Sequence, residues 1–290
     1  MTKNNSRALV LGGGGAVGIG WQVGVLQGLQ REAVDLGADA VLGTSAGAVV
    51  GAFLCTGKDL SLALTSVQGL TASIDPTALH HGNDQFLELM RAADLTSDPT
   101  SALQSIGQAA KHADTIDQDR YLKLFDALAD TEWPAALHIT AIDADTGILV
   151  VWDNTSGVPL RAAVAASCAL PMLFPAVELE GHSYIDGGMA SHLNATATPK
   201  APTTVVLSCH PLHPADRQPA PPLTDSEVRA AHELEEIRQR TTLLAFEPDL
   251  ISIGATPRTM MSPEVARTAR DKGFEQARTI ASDLSARSES

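Results

Sequence analysis

The sequence predicts an α/β fold, a mostly parallel sheet with helices on its faces, and three observations carry that prediction. The first is the element order of the N-terminal part: strand, glycine loop, helix, strand, tight turn, helix. The second is Thr203–Ser208, a β-branched apolar run with the character of a central strand. The third is the block 59–130, where strand-like runs vanish and amphipathic helices follow one another.

Taken in order, Arg7–Leu11 reads as a buried strand, Gly12–Gly18 as a loop, and Ile19–Arg31 as a helix with Trp21, Val25, Leu26 and Leu29 on one side. Ala38–Leu42 is a second strand and Ala46–Cys55 a second helix. Helical periodicity then recurs around Leu60–Leu70, Gln85–Ala93, Ser101–Ala110 and Asp119–Leu128. This insertion, about 59–130, is too long for a simple crossover and is read as a cap over the site, with a plain helical layer as the alternative. Leu137–Asp143 and Ile148–Trp152 alternate like strands, and Ala144-Asp145-Thr146-Gly147 joins them as a hairpin turn. Pro159–Ala169 is helical with proline near its start, and His182–Ile185 is a short strand. Pro211–Pro222 is a proline-rich surface linker. Asp225–Phe246 is a charged amphipathic helix, Asp249–Ile253 a last strand, and Pro263–Leu284 a closing helix. The whole is read as one domain, 1–290, ending in a helix-strand-helix segment at about 225–285.

Composition removes several classes of function. The formal net charge is −14, which opposes the phosphates of nucleic acid and leaves no basic patch for anionic lipid. Any transient contact with a membrane surface is therefore apolar. Aromatic residues are 4% of the chain, too few for a base-stacking platform. Cys55, Cys168 and Cys209 lie far apart without a Cys-x-x-Cys pair, as expected of reduced thiols. Met1–Arg7 runs straight into a strand without a secretory pattern, so the expected location is cytoplasmic. The apolar stretch 8–29 holds eight glycines and 40–55 is too short, so neither is read as a membrane span.

Three segments carry chemistry. Gly43-Thr44-Ser45-Ala46-Gly47 stands between an apolar strand and a helix, the setting of a nucleophile elbow. Ser45 would be the nucleophile, with Gly43 and Gly47 clearing space around the turn. Leu11-Gly12-Gly13-Gly14-Gly15-Ala16-Val17-Gly18 lets main-chain amides approach an anion. That anion is either a phosphate, since Gly13, Gly15 and Gly18 fit a dinucleotide fingerprint, or the oxyanion of acyl transfer. The second strand favours the oxyanion: Asp35 and Asp39 precede its apolar run, and its end carries Thr44 and Ser45 instead of an acid for a ribose. Tyr184-Ile185-Asp186-Gly187-Gly188 delivers an aspartate at the end of a strand, and a carboxylate can serve as base when burial raises its pKa. A Ser-Asp-His triad using His192 or His210 is the rival arrangement. His232-Glu233 begins like a zinc helix but lacks the second histidine, so neither a metal nor a cofactor is expected.

Together the glycine loop, the Ser45 elbow, Ala165-Ala166-Ser167-Cys168-Ala169-Leu170-Pro171 with Phe174-Pro175, and Asp186-Gly187-Gly188 resemble the patatin-like phospholipase family. The resemblance implies a three-layer α/β/α sandwich, a Ser45–Asp186 dyad without histidine, and an oxyanion hole of the Gly13, Gly14 and Gly15 amides. It also implies an acyl ester or lipid substrate. One position departs from the family, Val17, where Arg or Lys is usual. The missing charge argues against phosphate recognition and favours a neutral ester; a catalytically weak patatin-like scaffold is the alternative it leaves open.

Overall fold

Apolar side chains alternate between two faces of the central strands, and this alternation builds three layers. The computed structural model describes residues 6–72, 76–93, 98–212 and 225–286. Its strands are β1 (Arg7–Leu11), β2 (Ala38–Gly43), β3 (Leu137–Asp143), β4 (Leu149–Trp152), β5 (Val177–Leu179), β6 (His182–Asp186), β7 (Thr203–Leu207) and β8 (Thr242–Phe246). The helices are α1 (Gly15–Arg31), α2 (Ala46–Cys55), α3 (Ser61–Ala72), α4 (Pro76–Ala92), α5 (Pro99–Lys111), α6 (Gln118–Lys123), α7 (Leu160–Ser167), α8 (Asp225–Arg238), α9 (Leu250–Ile253) and α10 (Pro263–Ala286).

The strands form one sheet in the order β5-β6-β3-β2-β1-β7-β8, with β4 added to β3. The four pairings from β3 to β8 along this order are parallel. Those of β4, β5 and β6 are antiparallel. Leu9, Leu11, Ile139, Val205 and Leu207 face a core shared with α1, α2, α7 and α10. Val10 and Val206 point the other way, onto Ala230, Leu234 and Ile237 of α8. On that same side Ile142 and Ile185 meet Leu103 and Ile106 of α5. Each such fully buried side chain contributes roughly 2 kcal/mol.

Helix α1 starts at Gly15, four residues earlier than the glycine content predicts. Tertiary packing overrides the weak helix propensity of glycine here: Gly15 and the Val17 amide meet Met260, and Gly18 packs on Cys209. Further along, the glycines of α1 seat α10. A Cβ on Gly20 would lie 2.1 Å from the Ala266 carbonyl oxygen, on Gly24 2.0 Å from that of Arg270, and on Gly28 2.3 Å from Ala277 Cβ. The glycines form a groove at four-residue spacing that seats α10. Gly273 of α10 reciprocates against the Trp21 carbonyl, and Trp21 Nε1 donates to Gln276 Oε1 at 2.8 Å.

Two C-terminal assignments need correction. The run Asp225–Phe246 is not one helix: α8 stops at Arg238, and Thr242–Phe246 extends the sheet as β8, parallel to β7. The segment Asp249–Ile253, expected as a strand, is instead the short helix α9. Asp249 caps it by accepting the Ile251 and Ser252 amides, and Gly254 ends it at φ 74°. Strand β5 was not foreseen. It pairs with β6 through a turn in which Glu180 and Gly181 both have positive φ, the geometry of a two-residue hairpin. Most of the expected linker Pro211–Pro222 lies outside the described residues.

The block 59–130 is helical as expected. Its α5 belongs to a layer of the sandwich: Gly107 lies against the Ala144 carbonyl, and Lys111 pairs with Asp145 on the β3–β4 turn. Phe125 is buried in the main core beside Tyr121, and Leu122 packs against that core. Among the described residues no helix is long and apolar enough to cross a membrane.

Candidate active site

The strand register brings Ser45 and Asp186 together. Ile139 of β3 pairs with Gly43 of β2 on one edge and with Trp152 of β4 on the other. Ala141 pairs with Val150 of β4 and with Asp186 of β6. Strands β2 and β6 therefore share the edge of β3 opposite β4. One runs parallel to β3 and the other antiparallel, so their C-terminal tips meet head-on. Thr140 lies between the two contacts. The nucleophile follows one tip and the carboxylate ends the other.

At the first tip Ser45 adopts φ 53°, ψ −115°, a conformation that costs of order 1–3 kcal/mol for a residue with a side chain. Surrounding hydrogen bonds hold it. Its N–H donates to Ser167 Oγ at 2.8 Å. Its carbonyl accepts from the Ala48 amide at 2.9 Å and from Cys168 Sγ at 3.2 Å. Both flanking glycines are sterically required: a Cβ on Gly43 would stand 2.6 Å from Ala48 Cα, and one on Gly47 1.9 Å from the Leu11 carbonyl oxygen. Gly51, a turn further on, sits over Leu137 and Val41. The small-residue spacing of Gly43, Gly47 and Gly51 thus serves packing of helix on sheet.

At the second tip the Asp186 side chain is only 3% exposed. Its Oδ2 accepts the Ser45 hydroxyl at 2.7 Å, and its Oδ1 accepts the Gly188 amide at 2.7 Å. Among the described residues it forms no ion pair. Burial pushes its pKa from 3.8 up to about 7, while the Ser45 and Gly188 hydrogen bonds hold it down in part. The neighbouring Cys168 and Tyr121 are also pushed up, chiefly by burial, and then by Asp186 for Cys168 and by Cys168 and Asp186 for Tyr121, so both stay protonated. A base near pH 7 within hydrogen-bond reach of a half-buried hydroxyl is the geometry that general-base activation requires.

The glycine loop adjoins the elbow, since a Cβ on Gly13 would lie 3.3 Å from Ser45 Cβ. One amide of the expected oxyanion hole is already engaged: the Gly13 N–H donates to the His192 carbonyl at 2.7 Å. The Gly14 and Gly15 amides have no hydrogen-bond partner among the described residues. The available donors therefore narrow to these two. Gly14 packs so closely on Cys209 that a Cβ would stand 2.4 Å from the cysteine Cβ. Gly15 has φ 57° and abuts the Met260 carbonyl and Met261 Sδ, and the Val17 amide donates to that same carbonyl at 3.0 Å.

The histidines stand apart from this pair. His192 reaches Ser208 Oγ at 3.3 Å through Nε2, and its ring lies 4.7 Å from that of His210. Burial lowers the pKa of both. Neither is a partner of the Ser45 hydroxyl. Among the described residues no group of three or more His, Cys, Asp or Glu side chains could hold a metal ion. A cavity of about 340 Å³ lined by Thr198, Lys200, Ile237 and Arg240 lies at the opposite end of β7 from the glycine loop, away from Ser45.

Sequence reasoning missed three polar residues here. Ser167 stands in a helix where nothing local marks it as a partner of the Ser45 amide, Thr140 is hidden in an alternating strand, and Asn194 has no local signal.

An α/β sandwich with a serine on a strand-turn-helix elbow and an aspartate hydrogen-bonded to it defines a class of hydrolase-like domain. A family model described as patatin-like phospholipase matches residues 9–198 of this chain. The chain belongs to that family. No curated protein matches it. Among solved structures, it is similar to VipD from Legionella pneumophila, with 14% identity, 97% of this chain and 67% of that one covered, and a TM-score of 0.48. It is also similar to the type III effector ExoU, with 18% identity, 96% and 53% covered, and a TM-score of 0.39. A third similarity is to the complex of ExoU with SpcU from Pseudomonas aeruginosa, with 15% identity, 95% and 52% covered, and a TM-score of 0.39. The chain spans about half the length of the ExoU chains.

Proposed function

We propose that the chain is a serine acyl hydrolase of lipid or simple carboxylic esters, working through a Ser45–Asp186 dyad and an acyl-serine intermediate. The observation that carries this reading is the 2.7 Å hydrogen bond from Ser45 Oγ to a buried carboxylate whose pKa is raised to about 7. Asp186 takes the hydroxyl proton as Oγ attacks the acyl carbonyl. The Gly14 and Gly15 amides, at the N-terminus of α1, receive the developing oxyanion. Protonated Asp186 returns the proton to the leaving alcohol, giving an acyl-serine. Water, deprotonated by Asp186, then attacks the acyl carbonyl and releases the carboxylic acid and free Ser45.

Val17 supports a neutral ester over a phosphate-bearing one. Its side chain is 1% exposed and packed in the main core, so this position offers no cation to a headgroup. The dinucleotide alternative lacks a carboxylate at the end of β2, where Thr44 and Ser45 stand. Helix α4 is the part of the insertion that we assign as a cap. Its Gly82 lies against the Met172 carbonyl, close in sequence to Cys168, and its Asp84 pairs with Arg258 at 3.2 Å. Three unpaired thiols fit a reducing, cytoplasmic setting, with apolar contact at a membrane surface.

The test is hydrolysis of acylglycerols and 4-nitrophenyl esters of increasing chain length by the parent, Ser45→Ala, Asp186→Asn and His210→Gln proteins. The reading expects turnover lost in the first two variants and retained in the third. Turnover that survives Ser45→Ala, or that depends on His210 in a folded variant, would refute it.

A further inference from the structure

The tips of β2 and β6 have no backbone ladder between them: both pair along the same edge of β3, at different residues, and not with each other. Side chains hold them together instead. Asn194 is 2% exposed and left-handed, at φ 50°, ψ 33°. Its Nδ2 lies 2.8 Å from the Ser191 carbonyl, 3.0 Å from the Gly187 carbonyl and 3.2 Å from Thr44 Oγ1. An amide carries two hydrogens, so these approaches are shared. The Ser191 contact is local and would suit any buried turn. The other two are not local. Gly187 directly follows Asp186, and Thr44 directly precedes Ser45. Thr44 Oγ1 also meets Thr140 Oγ1 at 2.8 Å, on the β3 residue that lies between the tips. A Cβ on Gly187 would stand 2.6 Å from that Thr140 hydroxyl, so the turn is pressed against the same group.

Asn194 is itself fixed from behind. Glu233 of α8 accepts the Ser191 hydroxyl at 3.0 Å and the Ala195 amide at 2.8 Å, both through Oε2. The loop that carries Asn194 is thereby tied to a helix of the opposite layer. Buried polar groups joined in one network rigidify the elements they connect.

We propose that Asn194 is a positioning residue, whose amide ties the Thr44 tip to the Gly187 turn and so keeps Ser45 Oγ within hydrogen-bond reach of Asp186. The inference rests on the serine–aspartate reading. A misplacement of about 1 Å at such a site lowers the rate on the order of 100-fold. It also weakens the Ser45 hydrogen bond that holds the Asp186 pKa down against burial. Loosening the clamp therefore slows the nucleophile and moves its acid limb to higher pH.

The experiment measures the rate of fluorophosphonate labelling of Ser45 from pH 5 to 9, with the melting temperature of each protein. Asn194→Gly keeps the left-handed backbone without strain and removes the amide. Thr44→Val keeps the shape of Thr44 and removes its hydroxyl, while Thr44→Ser keeps the hydroxyl. The clamp predicts labelling slowed about 10- to 100-fold in Asn194→Gly and Thr44→Val, with the acid limb shifted upward. Thr44→Ser should recover most of what Thr44→Val loses. Folded variants with the parental rate and limb, whatever their melting temperatures, would overturn the clamp alone, because Ser45 would still label. If Asn194→Gly does not fold, the Thr44 pair decides by itself. A parent that is not labelled at Ser45 would overturn the dyad reading and the clamp with it.

Discussion

Replacing Asp186 by asparagine should make the protein inactive and, above neutral pH, more stable. The carboxyl is 3% exposed, and its two hydrogen bonds come from the Ser45 hydroxyl and the Gly188 amide. Its pKa rises from 3.8 to about 7 on folding, with burial as the main cause. The sign follows from proton counting. Below pH 4 the group is protonated in both states and contributes nothing. Between pH 4 and 7 the unfolded chain ionises first and binds fewer protons, so stability falls as pH rises. Above pH 7 the full penalty stands, about 4 kcal/mol at about 1.4 kcal/mol per pH unit. Asparagine has the same shape and no charge. One oxygen can accept the Gly188 amide, and its NH₂ can donate to Ser45 Oγ. The stability gained by Asp186→Asn should therefore grow by about 2–3 kcal/mol between pH 5 and pH 8. Urea unfolding of both proteins at these pH values reads the difference. Glu233, which burial also raises to about 7, titrates in parent and variant alike and cancels. A stability difference that does not change with pH would refute the claim that Asp186 is held against burial as a base.

The same carboxyl sets activity in the opposite sense: kcat/KM for a neutral ester should rise with unit slope as pH approaches about 7 and then level, because Asp186 must be ionised to accept the proton. A profile already flat from pH 5 to 8 would exclude it. Two glycine substitutions should diverge. Gly24→Ala places a Cβ 2.0 Å from the Arg270 carbonyl and should separate α1 from α10, losing several kcal/mol, whereas Gly69→Ala in α3 meets nothing within 4 Å and should gain up to about 1 kcal/mol in thermal or urea unfolding. Val17→Arg, which introduces the side chain usual in the family, should destabilise by several kcal/mol, because Val17 is buried in the main core and its amide is bonded to Met260. A well-folded Val17→Arg protein of parental stability would show that the site has room for the charge.

Local chemistry made much of the fold legible. Strand-turn-helix order around Ser45 and the hairpin at Ala144–Gly147 are encoded by adjacent residues, and the structure reproduces both. What escaped was non-local. The early start of α1 rests on contacts with distant segments, Met260 and Met261 against Gly15 and Val17 and Cys209 against Gly18, where propensity alone reads a glycine loop. Strand β8 follows α8 with neither glycine nor proline between them to mark the break, and pairing with β7 selects the strand. The cap signals of α9, Asp249 and Gly254, were present but outweighed by the apolar run between them. At the site, Ser45, Asp186 and the glycine loop stand in recognisable patterns. The Gly13 amide differs from expectation because the His192 carbonyl, from a distant loop, takes it. Thr140, Ser167 and Asn194 gain their contacts only when β2 and β6 meet on the edge of β3, so no window of sequence displays them.

The most direct measurement of the dyad is the position of a covalent adduct. After brief exposure to a fluorophosphonate at pH 8, peptide mass spectrometry should find one modified residue, Ser45, and none in a folded Ser45→Ala protein. Modification of another residue at the same rate, or undiminished labelling of Ser45→Ala, would contradict the account.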